Sequence, residues 1–334
     1  NQFEAAVTEV IFIYGEIDFA IKNLNKWMKP LRAGKSMVSL MAKNRIYYEP
    51  KGVCLIISPW NYPFQLMMSP LLSAIAAGNC TILKPSELSP ETSKVISKII
   101  KECFDEKEIC CFEGDVSVST ALLKLPFDHI FFTGSPAIGK IVMEAAAKNL
   151  TSVTLELGGK SPTIIDQQAN LKNAAEKIAW GKLVNAGQTC IAPDYVLIPK
   201  NRQEEFIREY SNATQRMFFK NPQEINEDIY AKIINQKHFK RIVALIDDAS
   251  AKGATISLGG QHQEKVQTIN PTLLTELPAN ANIMEEEIFG PVLPLITYKL
   301  LDEAIEIVNS KSKPLALYIF SDNGKNVRHI IKNT

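Results

Sequence analysis

The sequence predicts an α/β protein built from two doubly wound domains, and three observations carry that expectation. Short continuous apolar runs, the pattern of strands buried on both faces, alternate with helical stretches from Val53 onward. The alternation pauses at Gly158-Gly159 and then starts again. Segments rich in polar residues, glycine and proline fall where the runs stop, and open α/β sheets place their ligands at those strand ends. The domains are therefore expected at residues 1–158 and 159–334, with small strands near residues 33–50 in the first.

Each element has its own signal. Val53-Cys54-Leu55-Ile56-Ile57 ends at Ser58-Pro59 and reads as a buried strand. Pro63 to Ala77 is helical and apolar nearly all round, with Gly78 placed as the residue after the C-cap. Thr81-Ile82-Leu83 is the next strand, stopped by Pro85. Pro90 to Cys103 is a helix, with Val95, Ile96, Ile99 and Ile100 as its expected apolar face. His129 to Phe132 is a strand, Ile138 to Ala147 a helix and Ser152 to Leu157 a strand. This βαβ succession implies a parallel sheet. Thr163 to Ile165, a helix from Leu171 to Val184, Tyr195 to Ile198 and a charged helix from Gln203 to Met217 repeat the theme. Asn44 to Tyr48 reads as an exposed strand, of the kind that pairs with a partner.

Composition narrows the function. A chain of 334 residues, 46% hydrophobic and 22% charged, fills two cores in the manner of an ordinary soluble enzyme. The net charge of +1, with both signs interleaved, gives no basic face for nucleic acid or an anionic membrane. No apolar run reaches the ~18 residues of a membrane span. Six cysteines show no paired zinc spacing and no C-x-x-C, and the four histidines lie far apart, so no metal is expected and a cytoplasmic setting is. The first residue is Asn1 and the last residues read as a helix end with no closing element, so part of a longer natural polypeptide is expected to be missing at both ends.

Five segments carry chemistry, each with a structural alternative. Thr133-Gly134-Ser135-Pro136-Ala137-Ile138-Gly139-Lys140 joins a strand to a helix, where glycines let a phosphate reach backbone N–H groups. Simple tight packing explains the same glycines. A P-loop is disfavoured, because Ile141 stands where a hydroxyl would hold Mg²⁺. Lys84-Pro85-Ser86-Glu87 offers a donor and an acceptor for ribose hydroxyls, or is a solvated turn. Glu156 lies within Val153-Thr154-Leu155-Glu156-Leu157, where burial would raise its pKa toward that of a general base. The alternative is a strand-end carboxylate paired with Lys160. Asn61, bracketed by Pro59 and Pro63, suits an oxyanion hole or a helix N-cap. Cys190, in Asn185-Ala186-Gly187-Gln188-Thr189-Cys190, sits on a connection between a helix and a strand, the place of a nucleophile rather than of a packing thiol. No histidine lies in any of these motifs, which argues against a thiol hydrolase.

Together the segments resemble the aldehyde dehydrogenase superfamily, and within it the class 3 branch of fatty and aromatic aldehyde dehydrogenases. The resemblance rests on Pro59-Trp60-Asn61-Tyr62-Pro63-Phe64, Lys84-Pro85-Ser86-Glu87, Phe132-Thr133-Gly134-Ser135, Leu155-Glu156-Leu157-Gly158-Gly159-Lys160-Ser161-Pro162, Gly187-Gln188-Thr189-Cys190 and Glu287-Ile288-Phe289-Gly290-Pro291-Val292. Lys313-Pro314-Leu315-Ala316-Leu317-Tyr318 adds the class 3 flavour. Pro136-Ala137 departs from the pattern at a place where the family varies.

The resemblance implies a Rossmann-like NAD-binding domain, a cysteine-bearing catalytic domain and a small oligomerisation hairpin that makes a homodimer. It implies oxidation of an aldehyde to the acid, with NAD as cofactor and NADP possible. Cys190 is then the nucleophile, Glu156 the base that activates water and Asn61 the oxyanion donor. Trp60, Lys84, Glu87, Gly134, Ser135, Gly139, Leu157, Glu287 and Phe289 are the implied cofactor residues, and Tyr62 lines the aldehyde funnel.

Overall fold

The computed structural model describes residues 2–222 and 224–334. The chain forms two compact units, Gln2–Glu156 and Leu157–Thr334.

The first unit is organised around five strands in the order Ile109–Cys111, Cys80–Lys84, Val53–Ile57, His129–Gly134, Ser152–Leu157. The first four pair in parallel. His129 bonds to Ser152 Oγ at 2.8 Å and Thr154 Oγ1 at 3.1 Å, so the last two strands start at the same end. The chain begins this sheet at its centre, at Val53–Ile57. It works outward to one edge, then returns to add His129–Gly134 on the other side. That reversal makes a switch point, where the carboxyl ends of neighbouring strands diverge and leave a crevice. Ser58–Asn61 and Ser135 lie just past those two ends.

The core is apolar on both faces of the central strands. Ile56 and Leu83 pack with Met67, Leu71, Ile96 and Ile100 from the helices Gln65–Ala76 and Pro90–Cys103. The Pro90–Cys103 helix buries Ser93, Ile96, Ser97 and Ile100, while Val95 is exposed, so the expected apolar face is turned by one position. Two serines take the place of a fourth aliphatic, and Ser93 Oγ satisfies itself on the carbonyls of Ser86 and Ser89. Gly78 has φ +79, the left-handed conformation that ends the preceding helix.

The expected exposed strand at Asn44 to Tyr48 is present as Arg45–Ile46, paired antiparallel with Leu31–Arg32. Met37, Val38, Leu40 and Met41, at the tip of this hairpin, are largely exposed.

The second unit holds a six-stranded sheet in the order Thr255–Leu258, Thr272–Thr275, Val292–Tyr298, Tyr195–Pro199, Pro162–Ile165, Tyr318–Phe320. All neighbours are parallel except the first pair. Tyr195–Pro199 is buried along its whole length, as a central strand between helix layers must be. The helices Leu171–Leu183 and Gln203–Phe218 cover one face through Ala174, Ile178, Phe206 and Tyr210. Leu171–Leu183 then gives way to a kinked turn at Val184–Gly187, with Asn185 and Ala186 outside the helical conformation, and that turn leads to the Cys190 loop. Among the described residues no helix is long and apolar enough to cross a membrane.

Candidate active site

The backbone around Cys190 is held in a sparsely populated conformation. Asn185, Ala186 and Gly187 have φ of 51°, 50° and 74°, three left-handed residues in succession. Such positions cost roughly 1–3 kcal/mol each for non-glycine residues and persist where the surroundings over-determine them. Here the determinant is Gln188, which is almost fully buried. Its amide nitrogen donates to the carbonyls of Asn185 and Lys232, each at 3.0 Å, and its amide oxygen accepts from Ile234 N–H at 2.9 Å. That accounts for Gln188 in the motif as a clamp. After it, Ala192 N–H bonds back to Thr189 carbonyl at 3.0 Å and closes a turn with Cys190 inside it.

Gly187 is required for a second reason. A Cβ built there would lie 2.3 Å from the carbonyl oxygen of Gly290 and 2.9 Å from that of Lys182. The Cys190 loop and the Glu287–Pro291 segment therefore touch backbone to backbone. Gly187→Ala is expected to destabilise the full-length protein by about 3 kcal/mol or more, since it adds a clash to a strained φ. Urea denaturation checks this, and a variant as stable as wild type would contradict the contact.

The Glu287–Pro291 segment is fixed by a buried ion pair. Lys160 pairs with Asp194, not with Glu156, which corrects the structural alternative considered for that glutamate. Lys160 also donates to the carbonyls of Ile283 at 2.7 Å and Glu286 at 2.9 Å, and Asp194 accepts from Ile288 N–H at 3.0 Å. Phe289 follows at φ 47°, a rare conformation for an aromatic residue. Glu287 lies over Gly158, where a Cβ would be 2.3 Å from its carboxylate, so any larger residue there would have to displace the Glu287 side chain. Burial pushes the Glu287 pKa up to about 7, against a hydrogen bond from Gly159 N–H that lowers it. Lys182, wholly buried in the helix that leads to Cys190, is pushed down to about 8 by the same desolvation.

A cavity of about 350 Å³ opens beside the turn, lined by Trp180, Val184, Thr189, Ile191, Tyr318 and Phe320 among others. Its walls are largely apolar. Tyr318 hydroxyl donates to Ile191 carbonyl, one residue past Cys190. Burial, and then the neighbouring Cys190, push the Tyr318 phenol upward.

In the other unit the expected residues gather at the carboxyl ends of one sheet. Trp60, Asn61 and Tyr62 are half-buried in the loop after Val53–Ile57. The helix that follows has Phe64 at its N-cap position, with no side-chain cap there, so Asn61 is not its N-cap residue. Lys84 is buried, not solvated, and donates to Pro85 carbonyl at 2.7 Å; its ammonium lies 3.6 Å from the exposed Glu87 carboxylate. Gly134 abuts the Phe132 ring, and Ser135 caps the Pro136–Ala147 helix through Ile138 N–H. Gly139 lies inside that helix on the buried face with Val142 and Ala146, so packing accounts for it.

Glu156 departs from expectation. It is exposed at the last position but one of Ser152–Leu157, because this strand is only half-buried and Glu156 points away from what cover there is. Burial is therefore not available as the means of tuning it. Asn61 and Glu156 belong to one unit, and Cys190, Leu157, Glu287 and Phe289 to the other.

Lys182, Asp194 and the anchoring role of Tyr318 were not legible beforehand. Only Lys182 left a signal, a lone cation on the buried helix face of Ile178, Ala179 and Leu183. Among the described residues no cluster of three or more His, Cys, Asp or Glu side chains is arranged to hold a metal.

Comparison with known proteins agrees with this geometry. The aldehyde dehydrogenase family model matches residues 2–334. Aldehyde dehydrogenase family 3 member A2 of Macaca fascicularis is 45% identical over 334 residues, covering 100% of this chain and 67% of the relative. The substrate-bound state of Staphylococcus aureus AldH superposes with a TM-score of 0.94 at 43% identity, over 99% of this chain and 71% of that one. A Pseudomonas syringae aldehyde dehydrogenase C variant in complex with NAD+ and octanal superposes at 0.79 and 32% identity, over 86% and 61%. The chain belongs to the aldehyde dehydrogenase family.

Proposed function

We propose that the chain carries the working parts of an NAD-dependent aldehyde dehydrogenase that oxidises an apolar aldehyde to its acid through a thioester on Cys190. The observation that carries this reading is the nucleophile turn. A cysteine is held on a strained, clamped loop beside an apolar cavity, a construction that packing alone does not call for.

The residues present fit a dinucleotide. The first sheet has its switch point between Val53–Ile57 and His129–Gly134. Lys84 and Glu87 stand at the next strand end, where they would hold the adenosine ribose. Ser135 at a helix N-terminus would face the pyrophosphate, a favourable place for an anion. Trp60 and Leu157 would flank the cofactor, Glu287 would accept from the nicotinamide ribose and Phe289 would pack near the ring. Glu87 accepts from a ribose 2′-hydroxyl and repels a 2′-phosphate, so NAD is preferred and NADP tolerated. Bound there, the nicotinamide supplies the hydride acceptor.

The chain's own residues do the rest. Cys190 sulfur, as thiolate, bonds to the aldehyde carbon, and the carbonyl electron pair moves onto oxygen. The Asn61 amide and Cys190 N–H donate to that oxyanion. Loss of hydride from the carbon leaves a thioester. Glu156 takes a proton from water as the water oxygen attacks the acyl carbon, and the thiolate leaves. The apolar lining beside Cys190, with Tyr62 contributing from its own unit, selects medium- to long-chain aliphatic or aromatic aldehydes. The largely exposed apolar tip of the Leu31–Ile46 hairpin supports assembly as a homodimer, which sedimentation of the full-length protein tests. Cys190 must stay reduced, which favours the cytoplasm.

A panel of aldehydes followed by NADH absorbance tests the activity; no NADH from any aldehyde would end this reading. Glu287 adds a pH test. Its carboxylate forms as pH rises through about 7, so NAD binding should tighten across that range. In Glu287→Gln the KM for NAD should lose this dependence, and an unchanged profile would remove Glu287 from the ribose site.

A further inference from the structure

The helical stretch that opens the chain contains a π-helix, Ala5–Ile11, before it continues as Phe12–Trp27. Wide turns of this kind are uncommon and cluster at functional sites. Glu9 lies inside it, on the stripe that continues through the buried Ile13 and Ala20 and packs toward Gln65–Ala76. Its carboxylate accepts from Phe64 N–H at 2.7 Å and Gln65 N–H at 3.4 Å.

Those two N–H groups belong to the unsatisfied start of the Gln65–Ala76 helix. The next one, Leu66 N–H, is taken by Tyr62 carbonyl at 3.0 Å. No side chain at the helix's own N-cap does this work. The acceptor comes instead from a residue 55 positions earlier in the chain. At the other end of the same loop, Ser58 N–H bonds to Lys84 carbonyl at 3.2 Å. The segment from Ser58 to Phe64 is thus tied down at both ends, with Asn61 at its middle. Glu9 is partly desolvated, which raises its pKa, and the two backbone donors counter that rise.

We propose that Glu9 is a positioning residue for the oxyanion donor: by bonding Phe64 and Gln65 N–H it fixes the far end of the Ser58–Phe64 loop and so the place of the Asn61 amide. The proposal rests on the reading of Asn61 given above. It also says why a wide helical turn opens the chain: the extra residue per turn aims Glu9 at a helix start that has no cap of its own.

A double-mutant cycle in the full-length enzyme tests it. Glu9→Ala should lower kcat about tenfold, the scale at which a slightly misplaced group acts, with the KM for NAD unchanged. Glu9→Gln keeps one acceptor oxygen and should recover most of that loss. Glu9→Ala combined with Asn61→Ala should be no slower than Asn61→Ala alone, because both act through one amide. If Glu9→Ala does not fold, Glu9→Asp replaces it, since the shorter carboxylate keeps its charge but withdraws from Phe64 N–H. A wild-type kcat in the Glu9 variants, or losses that multiply in the double variant, would overturn the positioning role while leaving Asn61 in place. Full activity in Asn61→Ala would instead remove the oxyanion assignment, and Glu9 with it.

Discussion

Cys190→Ala in the full-length enzyme should abolish aldehyde oxidation while leaving the fold nearly as stable as wild type. Loss of a covalent nucleophile costs roughly 10⁴–10⁶ in kcat where the residue truly bonds to substrate. The fold should tolerate the change because the loop is held by other groups. Gln188 clamps it from below, Tyr318 anchors Ile191 just beyond, and Gly187 packs on Gly290. Cys190 is only half-buried, so removing its sulfur opens little cavity. Among the other thiols, Cys54 is buried and Cys110 and Cys111 lie in an edge strand, and burial pushes all three pKa values up, Cys111 to about 11. None of those is poised as a thiolate. A Cys190→Ala enzyme that keeps more than about a hundredth of the wild-type rate would limit the thiol's contribution to under ~3 kcal/mol and refute the assignment.

Much of this site can be read from sequence because its chemistry depends on backbone positions that only certain residues occupy. Gly187 is such a position, where a Cβ would meet the backbone of Gly290, and Gly158 lies against the Glu287 side chain. Their presence in short motifs signals close approach even when the approaching partner is unknown. Strand ends are legible for a similar reason, since an apolar run has to stop where a polar loop begins. The long-range pairings are not legible. Lys160 finds Asp194, Glu9 finds the start of a helix far along the chain, and Tyr318 reaches Ile191 across neighbouring strands. No local pattern encodes those distances. Periodicity also misjudged the face of Pro90–Cys103, because it buries Ser93 and Ser97, and a serine such as Ser93 that satisfies itself on nearby carbonyls is as easily buried as valine.

Glu156 shows where local context misleads most. An acidic residue among valine and leucine suggests desolvation, yet the side chain is exposed. An exposed carboxylate still suits the water-activating role proposed for it, since general base catalysis needs reach to a proton rather than burial. Three residues on in sequence, Gly159 has φ +155, a conformation that favours glycine.

Glu156→Gln separates the two halves of the reaction. The first half needs Cys190, Asn61 and the cofactor but no base at Glu156, so mixing enzyme, NAD and aldehyde should still give a burst of NADH close to one per active site. The second half needs a proton taken from water, and steady turnover should fall by about 10²–10⁴, the usual worth of general base catalysis. Coenzyme A should not restore it, because its thiol would also need a base to become the attacking thiolate, and the variant removes the base proposed here. Steady turnover near the wild-type rate would show that water is activated elsewhere. Loss of the burst along with turnover would place Glu156 in the first half, as a base for Cys190 rather than for water.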